Sequence, residues 1–195
     1  MKIFAEYYKD LLEWENIENR ELISVWRDDL TVEIEKDFEQ AMNNSTIKHS
    51  LCTIRENSTN QSVGNQVENY TIGELNKFLK VFTIENCSGA GYPDRILAKG
   101  DFRQIALEMK ATSNWNPNDS NRRVLTSSSK KLRERFAAPI YHLICTVLYQ
   151  NKNELYAIEN VRLDFIEPHT PVSVRLEASV NHKILASGIH KSIVF

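Results

Sequence analysis

From Arg103 to Thr112 the chain alternates without a break. Ile105, Leu107, Met109 and Ala111 fall on one side; Gln104, Ala106, Glu108, Lys110 and Thr112 fall on the other. A period of two is the signature of a β-strand with one apolar face. A strand of this kind needs neighbours, so the chain has to be built around a sheet. The flanks supply them. Asp94 to Ala98 reads as a short strand, and Lys99-Gly100-Asp101 as a tight turn between the two. Residues 113–127 are polar and hold Pro117, and Ser128 to Phe136 can form a short basic helix. Ile140 to Tyr149 is a strongly apolar strand, closed by the turn Asn151-Lys152-Asn153, and Glu154 to Ile158 is a further strand. Short β-like runs follow at Val172–Leu176 and Ser192–Phe195.

The first part of the chain is different. Phe4, Tyr7, Tyr8, Leu11, Leu12 and Trp14 recur at helical spacing within residues 3–15. Leu22, Ile23, Trp26, Leu30, Ile34, Phe38 and Met42 do so within 20–42. Residues 43–65, rich in Asn, Ser and Thr, read largely as loop. A third helix fits 64–80 through Val67, Tyr70, Leu75, Phe78 and Leu79, although Thr71 and Glu74 match a capping box and offer a later start. Helices followed by a mixed core predict an α+β (α/β/α-like) fold, a mixed central β-sheet flanked by helices with an N-terminal helical extension. At 195 residues this makes a single domain: a helical part over 1–62, a core over 63–160 and C-terminal strands over 161–195.

No apolar run is long enough to cross a membrane as a helix, and Met1 to Glu6 shows no leader-like apolar region. Cys52, Cys87 and Cys145 are too few and too scattered for a disulfide framework or a paired-cysteine zinc site. Together these predict a chain of the reducing cytoplasm. The formal net charge of −2 argues at first against a nucleic-acid partner. The total hides an asymmetry: residues 1–42 hold twelve acids and five bases, and residues 99–135 hold nine bases and four acids. The basic stretch matters more for phosphate binding than the sum does.

Glu108 and Lys110, two apart on one strand, project from the same face about 6.6 Å apart along it. A hairpin neighbour brings Asp94 beside them. Two carboxylates at one point repel, and a cation between them relieves this. Mg2+ suits the place, because it takes a few carboxylates, keeps waters and binds substrate phosphate. A lysine alongside can hold or help deprotonate a water and stabilise negative charge at phosphorus. The plain alternative is a surface Glu–Lys pair on an edge strand.

Pro93-Asp94 followed by Glu108-Met109-Lys110 resembles the PD-(D/E)XK nuclease signature, and the compact size resembles a type II restriction endonuclease. The motif covers residues 93–110, and the order of elements extends the likeness to about 149. The resemblance implies Mg2+-dependent hydrolysis of double-stranded DNA that leaves 5′-phosphate and 3′-hydroxyl ends. It makes Asp94 and Glu108 metal ligands and Lys110 the lysine that positions or activates water. Many members add an acid from a preceding helix. Glu68 is the first candidate, with Glu74 and Glu85 as alternatives.

The stretch after the Glu108–Lys110 strand is where DNA would be met. Thr112, Ser113, Asn114, Asn116, Asn118, Arg122, Arg123, Ser127, Ser128, Lys130, Lys131 and Arg133 combine base-reading and phosphate-binding side chains. His182 and Lys183 in the tail offer a second reading element. A palindromic target would call for a homodimer. The five histidines lack metal spacing; His142, inside an apolar run, reads as a satisfied core or supporting residue. No phosphate-binding Gly-Lys-Ser/Thr loop is present, so no ATP-driven module is expected. Two rival functions remain: a repair, resolvase-like or modification-dependent nuclease of the same fold, and a non-catalytic DNA-binding or assembly module.

Overall fold

The structure is a computed structural model. It describes residues 2–14, 21–54, 58–89, 91–114, 123–126, 129–152, 155–176, 182–186 and 191–195. The elements run β1 (Lys2–Ile3), α1 (Phe4–Trp14), α2 (Asp28–Asn44), β2 (Leu51–Thr53), α3 (Asn60–Phe78), β3 (Thr83–Asn86), β4 (Arg95–Lys99) and β5 (Phe102–Thr112). They continue with β6 (Arg123–Thr126), α4 (Lys130–Arg135), β7 (Tyr141–Lys152), β8 (Leu155–Ile166), β9 (Pro171–Leu176), β10 (His182–Ala186) and β11 (Lys191–Val194).

A seven-stranded sheet has the order β11-β8-β7-β5-β4-β3, with β2 also paired to β8. Strands β5 and β7 run parallel, and the other pairs are antiparallel, so the sheet is mixed. The parallel pair requires a crossover, and α4 lies within it. A second, antiparallel sheet has the order β1-β9-β10-β6.

Helices cover both faces of the large sheet. On one, Ile34 and Phe38 of α2 and Val67 and Leu75 of α3 share a buried core with Leu97, Ile105, Leu107, Met109, Leu143, Val147 and Phe165. On the other, Phe4, Tyr8, Leu11 and Leu12 of α1 and Leu132 of α4 pack with Ile96, Ala106, Ile140, Ile144 and Ile166. Val172 of β9 joins this second core, and the Phe4 N–H donates to the Thr170 carbonyl at 2.9 Å. The apolar stripes of the two N-terminal helices are therefore spent inside the chain. No helix among the described residues is long and apolar enough to cross a membrane.

Several expected boundaries move. The helix expected over 20–42 begins only at Asp28, and residues 21–27 form no regular element, with Arg27 extended just before the helix. Leu22, Ile23 and Trp26 are buried all the same. The β-branched Ile23 and Val25 are weak helix formers, while Asp28 and Asp29 suit the first turn of a helix, whose N-terminus carries partial positive charge. The third helix starts at Asn60, capped by the Thr59 side chain, which accepts from the Ser62 N–H. The later start at Thr71 is overturned. Thr71 is buried, and its hydroxyl donates to the Val67 carbonyl one turn back at 2.9 Å. Strand β2 interrupts the loop expected over 43–65, and β6 lies within the polar stretch expected over 113–127.

Candidate active site

Gly100 makes the turn between β4 and β5 with φ of +55°, a conformation that favours glycine. The hairpin register pairs Arg95 with Leu107 and so brings Asp94 to the level of Glu108. The Asp94 N–H donates to Glu108 Oε2 at 3.2 Å, and the Asp94 carbonyl accepts from the Cys87 N–H at 3.0 Å. Asp94 is itself exposed. Lys110 Nζ lies 2.6 Å from Glu108 Oε1, with the Glu108 side chain 4% and the Lys110 side chain 16% exposed. An exposed pair on an edge strand is thus excluded: β5 lies between β4 and β7, and its charges are largely out of water.

Helix α3 supplies the third carboxylate. Gly64 lies over β5, where a Cβ atom on it would meet Ala111 Cβ at 4.0 Å. Glu68 follows one turn later on the same side of the helix. Arg95 Nη2 donates to Asn69 Oδ1 at 3.1 Å and ties β4 to the helix beside Glu68. Burial above all, with Glu108 and Asp94 adding, pushes the Glu68 carboxyl up to about 7 against the opposing pull of Lys110 and Arg95. Burial also raises Glu108, partly offset by Lys110. For Lys110, burial works against the charged form, but Glu108, Glu68 and Asp94 outweigh it and raise its pKa. The ammonium form is the one this site holds.

The two alternatives to Glu68 are employed elsewhere. Glu74 pairs with Lys77 at 2.5 Å, and Glu85 pairs with Arg103 at 2.5 Å. Three carboxyl groups face Lys110 and Arg95, and once all three are ionised they leave excess negative charge, which a divalent cation would neutralise. No group of three or more His, Cys, Asp or Glu among the described residues converges closely enough to form a ready-made metal cage. Two carboxylates would be enough for an ion such as Mg2+, which needs one or two and completes its shell with waters and phosphate oxygens. Asp94, exposed, and Glu108, beside it, are the residues that would hold it.

The residues expected to meet DNA divide. Ser113 and Asn114 are exposed just past β5. Thr112 is fully buried, and its hydroxyl donates to the Asn114 carbonyl at 2.6 Å, so it shapes the turn instead of offering a surface contact. On α4, Lys130 is exposed near Glu134, and Arg133 donates to Ser129 Oγ at 2.9 Å. Lys131 departs from the expectation. It is buried, and its ammonium donates to the carbonyls of Gly89 at 2.9 Å and Gly91 at 2.7 Å. Arg123 lies in β6 and His182 and Lys183 in β10, and these strands pair, with His182 opposite Thr126 and Leu185 opposite Arg123. Two stretches singled out separately in the sequence therefore share one sheet. Asn116, Asn118, Arg122, Ser127 and Ser128 lie outside the described residues.

His142 is a supporting residue. It is fully buried. Nε2 lies 2.7 Å from the Leu22 carbonyl and Nδ1 2.8 Å from the Tyr92 hydroxyl. A carbonyl only accepts, so the proton sits on Nε2, and Nδ1 accepts from Tyr92. Burial holds its pKa down to about 4, so the ring is neutral. Tyr92 and its links to the site carry no signal in the sequence; only the polar ring inside an apolar run hints at them.

No protein-family model and no curated protein matches the sequence. Among solved structures, the fold is similar to that of the NlaIV restriction endonuclease, with a TM-score of 0.48 and 18% identity over 88% of this chain and 74% of that one. It is also similar to the restriction endonuclease BglI bound to its DNA recognition sequence, with a TM-score of 0.34 and 13% identity over 85% of this chain and 71% of that one.

Proposed function

We propose that the chain is a Mg2+-dependent endonuclease that hydrolyses phosphodiester bonds of double-stranded DNA. We read it as a sequence-specific type II restriction enzyme leaving 5′-phosphate and 3′-hydroxyl ends. The observation that carries this reading is the Lys110–Glu108 pair at 2.6 Å on a central strand, with the exposed Asp94 hydrogen-bonded through its backbone to Glu108. A structural ion pair has no use for a second carboxylate beside it and a third near enough to act on it electrostatically. A phosphodiesterase site does.

The residues divide the work. Glu108 is fixed by Lys110 and by the Asp94 N–H. Lys110, held as an ammonium, donates hydrogen bonds to a phosphate oxygen or to the attacking water; its raised pKa makes it a donor and a positive charge, not a base. Asp94 and Glu108 would hold Mg2+, and the bound ion would supply positive charge that lowers the cost of added negative charge at phosphorus. Glu68 adds a carboxylate whose charge depends on that cation. Ser113, Asn114 and Lys130, exposed around this end of β5 and on α4, and the β6–β10 pair, carrying Arg123, His182 and Lys183, form the surface for DNA. A palindromic target would place one such site on each strand through a homodimer.

The test is digestion of phage DNA with Mg2+, followed by ligation of the products. Discrete fragments that religate without added kinase are the expected result. Cutting confined to branched or modified substrates replaces restriction with repair or modification-dependent cleavage. Binding without cleavage under any divalent metal discards the enzyme in favour of a DNA-binding or assembly module.

A further inference from the structure

The segment that delivers Asp94 is held by more than its own strand. Gly89 and Gly91 adopt positive φ, +108° and +82°, a region that favours glycine. Their carbonyls accept from one atom, Lys131 Nζ, at 2.9 and 2.7 Å. The stem of Lys131 lies along Gly89, where a Cβ atom would meet Cε at 3.9 Å. The next residue, Tyr92, donates its hydroxyl to His142 Nδ1 at 2.8 Å, and His142 Nε2 is anchored on the Leu22 carbonyl at 2.7 Å. Asp94 itself is clasped by backbone bonds to Glu108 and Cys87.

A buried ammonium is costly unless its partners compensate. Among the described residues no carboxylate pairs with Lys131. Its charge serves two loop carbonyls, three and five residues before Asp94. A lysine placed for DNA would keep its ammonium in water. One placed to hold a loop would bury it in this way.

We propose that Lys131 and His142 are positioning residues. Lys131 from α4 and His142 from β7, acting through Tyr92, hold Gly89 and residues 91–94 so that Asp94 stays against Glu108. This sets the affinity of the site for its divalent cation. The proposal rests on the reading of Asp94 and Glu108 as metal ligands.

Two measurements on purified full-length protein test it: Mn2+ binding by calorimetry, and affinity for a labelled DNA duplex in EDTA. Lys131→Met removes the donors and keeps the stem; Tyr92→Phe removes one hydroxyl and tests the brace should the first variant not fold. Both are expected to weaken Mn2+ binding by about tenfold, with DNA affinity in EDTA held within about twofold, as for other residues that support metal ligands. In Lys131→Met, cleavage should recover as Mn2+ is raised. Unchanged Mn2+ affinity in folded variants overturns the proposal, even where the melting temperature falls. So does a loss of metal-free DNA affinity alone, which would return Lys131 to the DNA surface. Wild-type protein that neither binds Mn2+ nor cuts DNA defeats the metal-site reading itself, a result distinct from either.

Discussion

Glu108 is buried, paired and acidic at once, which makes its replacement informative. Glu108→Gln keeps the shape and an oxygen acceptor for the Asp94 N–H but removes the charge that the proposed metal site needs. Cleavage should fall below detection, and DNA binding in EDTA should persist or strengthen, because a repelling charge is gone. Loss of binding together with activity would count against its role. Glu68 makes a pH prediction. Its carboxyl is raised to about 7 in the fold, well above the unfolded value near 4.5. Between those values the folded chain holds a proton that the unfolded chain has released, so this group's contribution to stability falls as pH rises through the window. In metal-free urea titrations, wild type minus Glu68→Gln should decline by no more than about 3 kcal/mol from pH 4.5 to 7.5. His142 works in the other direction. Its folded pKa is about 4, so it costs stability as pH falls from 6.5 towards 4. The comparison has to be made as a difference for that reason. A flat difference would show that Glu68 is not desolvated beside the other carboxylates.

At the scale of elements, what the sequence shows depends on how local the cause is. Strand β5 was legible because its own alternation marks the buried row Ile105, Leu107, Met109 and Ala111, and Gly100 marks the turn before it. The motif placed Glu108, Lys110 and Asp94 for the same reason: all three lie on one hairpin. Glu68 needed a helix from elsewhere, and the sequence could rank it ahead of Glu74 and Glu85 without showing that those two pair with Lys77 and Arg103. Residues 21–27 show the limit. Leu22, Ile23 and Trp26 have helical spacing, yet each is buried from a segment outside any helix, with Trp26 Nε1 donating to the His142 carbonyl at 3.3 Å. Asp37 was equally hidden. It falls among the acids of the N-terminal part, but it is buried and accepts from the N–H groups of Lys80, Val81 and Phe82 at 2.8, 3.1 and 2.9 Å. That carboxylate holds the connection between α3 and β3. Asp37→Ala would strand one buried and two partly buried donors and should destabilise the chain by about 2–4 kcal/mol in urea unfolding. A cost under 1 kcal/mol would mean that water reaches those groups.

At the scale of the molecule, the net charge of −2 averages an acidic N-terminal part and a basic stretch on either side of α4. The acidic helices α1 and α2 are committed to the two cores, so their apolar faces are not left over for a partner. The pairing of β6 with β10 gathers Arg123, His182 and Lys183 into one small sheet. Arg123→Ala should weaken DNA binding, by about 1–3 kcal/mol and in a sequence-dependent way if it reads guanine. A uniform loss that shrinks the salt dependence by one counterion would instead mark a phosphate contact. The central claim is that Asp94, Glu108 and Lys110 form a metal-dependent phosphodiesterase site. The most direct test is nicking of supercoiled plasmid by wild type, Asp94→Ala and Lys110→Ala, each with Mg2+ and with EDTA. The account predicts cleavage by wild type with Mg2+ alone, and none by either variant although both still bind DNA. Cleavage that survives in Lys110→Ala, or that proceeds in EDTA, would contradict it.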